Sequence, residues 1–284
     1  MIEGHRLLFL GGLHRSGTSP AARWIAQHPE VSAFRNTGVW QDEGQHLQDV
    51  YATARLHGGG GRFAFDDEAH LTESSPLVTD ESRRRLWASW SPHWDLSKPV
   101  LLEKSPPNLI RMRFLQALFP DSSYFLAIVR HPIAVAYAMR KRRGLFDWVP
   151  LQLPRRGILQ ASLHSLLRHW VEAHERFLAD ASSLQNVALV RYEDLVADCH
   201  GELSRVFRFS GLEPISGAWD VQPALNEHYI GLWERYSASP VKRARLRRLE
   251  NTFEDRVRLF GYSLRAPHKI SPPSPTLAQY LRRH

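Results

Sequence analysis

The amino-acid sequence predicts an α/β fold in three layers, a central parallel sheet flanked by helices. Short apolar runs recur at residues 7–10, 100–102, 124–129 and 187–190, each the length of a buried strand. Segments with apolar residues at helical spacing stand among them, at 18–28, 108–119, 133–142, 159–181 and 202–210. This is the alternation of strand and crossover helix that builds a parallel sheet covered on both faces. The first run leads directly into a glycine-rich loop, the context in which a strand presents backbone N–H groups to an anion.

The run at 7–10 is too short for the core of a signal peptide, and no stretch approaches the roughly 20 apolar residues of a membrane-spanning helix. It reads as a buried strand. After it comes Gly12-Leu13-His14-Arg15-Ser16-Gly17-Thr18-Ser19, a strand, loop and helix in the style of phosphate-loop nucleotide-binding proteins. A helix N-terminus carries about half a unit of positive charge, and the Thr18 and Ser19 hydroxyls add donors to it. Nucleotide-hydrolysing loops place Lys directly after the last Gly, where it works beside Mg²⁺. This chain has Thr18 there and Arg15 two residues before Gly17, which favours a diphosphate-like group handled without a metal.

Residues 30–99 interrupt the alternation and include four consecutive glycines at 58–61. They read as a long insertion of the substrate-covering kind, adding little core. The run at 100–102 delivers Lys104 to the carboxyl end of the sheet, where ligands sit in open α/β folds. Adjacent strand residues face opposite sides, so Lys104 is not expected to pair with Glu103. The run at 124–129 ends at Arg130, with Arg140, Lys141, Arg142 and Arg143 one helix on. The domain is expected to cover 1–265, and 266–284, with Pro267, Pro272, Pro273 and Pro275, reads as an exposed extension.

Hydrophobic residues make up 43% of the 284 and charged residues 23%, which excludes a disordered chain. The single cysteine, Cys199, rules out an internal disulfide, and a reducing, cytoplasmic setting is expected. The fifteen histidines include no His-Glu-x-x-His spacing, so no metal is expected. The net charge of +8 calls for an anionic partner. The excess gathers at 130–156, with seven basic residues against one acid, and at 235–258, with eight against three. Both stretches keep helical periodicity, which favours a folded anion pocket over a nucleic-acid-binding tail.

Four stretches in order resemble the PAPS-dependent sulfotransferases, PAPS being 3'-phosphoadenosine-5'-phosphosulfate. They are His14-Arg-Ser-Gly-Thr-Ser19, Glu103-Lys-Ser-Pro106, Ile128-Val-Arg-His-Pro132 and Val190-Arg-Tyr-Glu-Asp-Leu195. The resemblance spans roughly residues 5–262 and is nearest to bacterial members and to the protein-tyrosine and heparan branches. It implies sulfuryl transfer from PAPS to a hydroxyl of a small molecule or glycan, with adenosine 3',5'-bisphosphate as product. It also implies that Arg15, Ser16, Gly17, Thr18 and Ser19 hold the 5'-phosphosulfate, with Arg15 stabilising the leaving oxygen. By the same resemblance Arg130 and Arg142 bind the 3'-phosphate, Tyr192 contacts the adenine region, and Lys242 and Arg243 close over the donor near Ser237. Lys104 is assigned to the transferring sulfonate or the substrate, and Glu43 is the candidate base with Asp42 and His46 as alternatives. One departure is Ala138, where the family has a serine for the 3'-phosphate. The acceptor is left open, with Phe146, Trp148 and Leu151 suggesting an apolar wall. A small-molecule kinase and a basic nucleic-acid-binding module stand as alternatives; no motif specifies an oligomeric state.

Overall fold

The computed structural model describes residues 4–144, 162–217, 219–221 and 225–277, with side chains in 141–144 left aside. Five strands form one parallel sheet, β1 (Arg6–Gly12), β2 (Val31–Ala33), β3 (Val100–Lys104), β4 (Ser123–Val129) and β5 (Val187–Arg191), in the order β2-β3-β1-β4-β5. Leu10 lies opposite Lys104 and Gly12 opposite Ile128, so the carboxyl ends of the three central strands finish level. The chain leaves β1 toward β2 and leaves β4 toward β5. The crevice between β1 and β4 is therefore the switch point at which open α/β sheets bind ligands.

The helices are α1 (Thr18–Ile25), α2 (Asp80–Trp90), α3 (Met112–Leu118), α4 (Pro132–Gly144), α5 (Leu163–Ala181), α6 (Tyr192–Ala197), α7 (Cys199–Phe209), α8 (Leu225–Ser237) and α9 (Pro240–Arg258). The period-two geometry of the strands splits their apolar runs between two faces. Leu8, Leu10, Leu102, Leu126 and Ile128 meet Trp24 and Ile25 of α1 and Leu203 and Phe207 of α7. Leu7, Phe9, Leu101, Phe125 and Val129 meet Phe114 of α3, Trp170 of α5 and Phe253 of α9. The run expected as one helix over 108–119 is a tight turn over Pro106–Ile110 followed by α3.

The segment 30–99 differs from its expectation. It supplies edge strand β2 and helix α2, the latter capped by Thr79 Oγ1 accepting from the Ser82 N–H at 3.0 Å. Phe63, Ala64 and Trp90 within it are completely buried, and Trp90 Nε1 donates to the Gly44 carbonyl at 3.0 Å. Buried Arg111 pins it further, donating to the carbonyls of Ala52 at 2.9 Å and Ala69 at 3.3 Å. Apolar side chains on short turns build core here without helical or strand periodicity. The C-terminal extension is likewise packed down as far as residue 277. The N–H groups of Ser271 and Ser274 donate to Gly261 and Leu259, Arg191 Nη1 donates to the Ser271 carbonyl at 2.5 Å, and Leu277 is buried.

Candidate active site

The loop between β1 and α1 is shaped by its own short contacts. Ser16 is buried, and both its N–H (3.0 Å) and its hydroxyl (2.6 Å) donate to the Leu13 carbonyl. Its hydrogens therefore tighten the turn. Arg15 at φ 73 and Gly17 at φ 98 occupy the left-handed region, which alternates the direction of successive N–H groups and makes an anion-binding concavity. Gly17 is required twice over: by that φ, and because a Cβ would run into the ring of Tyr192. Gly17 gives α1 no side-chain cap, whereas Thr79, Ser162 and Asp198 cap α2, α5 and α7. The first N–H groups of α1 are thus left for another acceptor. Thr18 is buried beside them, and Ser19 Oγ lies 3.4 Å from Gln41 Oε1.

Arg130 follows β4 and is only 4% exposed. Its Nη1 donates to the Arg15 carbonyl at 3.0 Å and its Nε to Asn226 Oδ1 at 2.8 Å. The guanidinium lies 4.2 Å above the Tyr192 ring and 5.9 Å from that of Tyr229. Nη2 is buried with no hydrogen-bond partner among the described residues. Burial lowers the pKa of this arginine, against the opposing pull of Tyr192 and Glu193; a guanidinium nevertheless stays charged. An unpaired, buried N–H of a cation beside a glycine-rich loop is a site for an anionic oxygen.

On the other side of β1, Lys104 ends β3. Its Nζ donates to the Gln41 carbonyl at 2.9 Å and to Glu43 Oε1 at 3.3 Å. Lys104 and Glu43 are 6% and 4% exposed. Gln45 Nε2 donates to Glu43 Oε2 at 2.6 Å, and His46 Nε2 stands 3.7 Å from the same oxygen. Burial, with help from Lys104 and Arg55, outweighs the pull of Glu43 and lowers the His46 pKa. Asp42 Oδ1 is occupied by the N–H and hydroxyl of Thr37; burial opposes its ionisation, but these hydrogen bonds prevail and its pKa falls. Glu103 faces away from Lys104, accepting from the Gly44 N–H at 2.9 Å, the Ser105 hydroxyl at 2.6 Å and Asn108 Nδ2. Burial pushes its pKa up to about 7 against those hydrogen bonds. Glu103 thus fixes the turn that carries Glu43.

On the Lys104 side a crevice of about 580 Å³ is lined by Ser19, Gln41, Asp42 and Lys104 and walled by Phe34 and Leu102. The fold therefore gathers Arg15, Gly17, Thr18, Arg130 and Tyr192 on one side of the loop and Ser19, Glu43 and Lys104 on the other. Lys242 and Arg243 fall elsewhere. Lys242 Nζ lies 5.2 Å over the Tyr236 ring, and Arg243 lines a separate groove with Trp233 and Glu250. Ser237 donates to the Glu234 carbonyl. Ala138 is buried in α4. The Arg142 side chain, Phe146, Trp148 and Leu151 lie outside the described residues. Asn226, Glu193 and Tyr262 were not among the sequence candidates. Glu193 stands inside a recognised stretch, whereas nothing around Asn226 marks it.

The sequence model of the sulfotransferase family matches residues 8–216. Among solved structures, the chain is similar to the sulfotransferase domain of the olefin synthase of Synechococcus PCC 7002, at 18% identity over 79% of this chain and 86% of that one, with a TM-score of 0.44. It is also similar to a sulfotransferase of Alicyclobacillus acidocaldarius, at 15% identity, 80% and 91% coverage and a TM-score of 0.44. A third is the mouse sulfotransferase SULT7A1 complexed with PAP, at 14% identity, 84% and 87% coverage and a TM-score of 0.39. The family match covers all four motif stretches, from the loop through Arg130 to Tyr192, and the chain belongs to the sulfotransferase family.

Proposed function

We propose that the chain moves a sulfuryl group from PAPS to a hydroxyl by a single in-line displacement. The observation that carries this is buried Arg130, which has an open Nη2 and is hydrogen-bonded to the loop carbonyl of Arg15. One cation then serves a 3'-phosphate while bracing the loop for the 5' end. The fit is tested by that orphan donor and by the uncapped start of α1, both of which lie beside the Tyr192 ring. Arg130 would hold the 3'-phosphate, and Tyr192 would lie along the nucleoside. The N–H groups after Gly17, with Thr18 and Ser19, would hold the 5'-phosphate. PAPS supplies an activated sulfuryl group whose S–O bond to phosphate breaks as the bond to the acceptor oxygen forms.

The chain's own residues do three things in that step. Arg15, exposed on the loop, approaches the bridging oxygen and stabilises the charge it gains. Glu43 takes the proton of the acceptor hydroxyl, held in place by Gln45 and Lys104. Lys104 turns from Glu43 toward the sulfonate oxygens as that proton arrives, so its charge follows the reaction. The crevice beside Lys104 and Ser19 is the acceptor's approach.

A donor-saturated acceptor screen in the presence of EDTA, read by mass spectrometry, tests the reading. Sulfated products without metal support it. Products formed only with ATP and Mg²⁺ would transfer the assignment to a kinase.

A further inference from the structure

We infer that Asn226, at the start of α8, is a positioning residue that sets selectivity for the donor's 3'-phosphate by keeping a carboxylate off Arg130. The inference rests on the donor reading above. Glu193 follows Tyr192 on α6, and its carboxylate comes close to the guanidinium without pairing with it. Its Oε1 accepts from the His131 N–H at 3.0 Å and from Asn226 Nδ2 at 2.6 Å, and its Oε2 accepts from the Tyr262 hydroxyl at 2.6 Å. On its other side the same Asn226 amide accepts from Arg130 Nε at 2.8 Å. A neutral amide therefore stands between a buried cation and a half-buried anion, hydrogen-bonded to both.

The chemistry of that placement is specific. A carboxylate in contact with a guanidinium binds it through two parallel hydrogen bonds and uses up its charge. An amide at the same point orients the guanidinium through Nε and brings no net charge. The remaining partners of Arg130 are also neutral: the Arg15 carbonyl on Nη1 and the faces of Tyr192 and Tyr229. Tyr229 is on α8 one turn beyond Asn226, so this helix supplies both the hydrogen bond and one aromatic wall. Nη2 is left as the outlet for the charge. Glu193 is meanwhile satisfied by three donors, the Tyr262 hydroxyl among them, whose pKa burial raises well above the ordinary value. The carboxylate thus has little to gain by moving toward Arg130.

The test compares two probes, adenosine 3',5'-bisphosphate and AMP, which differ only in the 3'-phosphate. Dissociation constants are measured by calorimetry on wild type, Asn226→Asp and Asn226→Leu, with thermal melting as the check on folding. In the wild type the bisphosphate should bind about a hundredfold tighter than AMP, as desolvated charge pairs do. Asn226→Asp, which keeps the shape, adds a carboxylate on Nε and exchanges the donor facing Glu193 for an acceptor, should reduce that ratio to about tenfold or less, with AMP affinity unchanged. Asn226→Leu removes the orienting bond together with the hydrogen bond to Glu193, without adding charge, and should reduce the ratio severalfold; it decides the matter if the aspartate variant does not fold. A ratio that stays at the wild-type value in a folded variant overturns the inference, since a merely structural role weakens both probes equally. A wild type that does not prefer the bisphosphate overturns the donor reading itself, before any substitution is made.

Discussion

Arg130 and Lys104 are both cations buried at the carboxyl end of one sheet, on opposite sides of β1, and their partners differ in kind. Arg130 is held by a carbonyl, an amide and two aromatic faces. Lys104 is held by a carbonyl and by the carboxylate of Glu43. The first arrangement fixes a charge in place and leaves it uncompensated, which prepares it to bind an anion. The second is a pair of no net charge whose members exchange partners as they act. Substitutions on the Arg130 side should therefore appear in donor affinity, and those on the Lys104 side in turnover.

The largest effect is expected at the loop between them. Arg15→Ala should lower kcat about 10³-fold, as removal of a charge-stabilising donor does, while the dissociation constant of adenosine 3',5'-bisphosphate changes by less than about tenfold. A variant with wild-type kcat would remove Arg15 from the chemistry. Glu43→Gln should lower kcat about 10²-fold and leave bisphosphate affinity as it was. A loss of affinity in its place would erase the contrast between the two sides.

Glu103 gives the next effect, on stability. Its pKa of about 7 in the folded chain stands above the ordinary 4.5, so between these values the folded state holds the proton and the unfolded state releases it. The contribution of Glu103 to stability is therefore fully present below about pH 4.5 and declines as pH rises through about 7, by roughly 3 kcal/mol. Urea denaturation across this window should show that decline in the wild type and its loss in Glu103→Gln. Identical pH profiles would mean that the carboxyl carries no such shift. The smallest effect is expected for Gly17→Ala, where the left-handed φ and the Tyr192 ring should destabilise the chain by about 1–3 kcal/mol. The melting temperature measures this, and an unchanged value would mean that the loop can relax away from Tyr192.

Much of the site was legible because its residues sit on local patterns. A glycine-rich turn after a short apolar run places Arg15 and Gly17, and the ends of two such runs place Lys104 and Arg130. Glu43 was legible only through the family resemblance, and the pair it forms with Lys104 was not, since 61 residues separate them. Asn226 lies 96 residues from Arg130 and belongs to no local pattern, so only the packing of α8 against α4 brings it to the guanidinium. The core role of Phe63 and Ala64 was hidden for a related reason. Turns held by Arg111 and Trp90 bury side chains with neither a period of two nor one of 3.6. The tail to residue 277 packs through backbone hydrogen bonds that proline content does not reveal.

The central claim is that Arg130 is a preorganised anion site for a 3'-phosphorylated adenosine donor. Calorimetric titration of adenosine 3',5'-bisphosphate into wild type and Arg130→Ala, without Mg²⁺, tests it most directly. The account predicts saturable one-to-one binding that the substitution weakens about a hundredfold. No binding at millimolar ligand, or equal affinity in the two proteins, would contradict it.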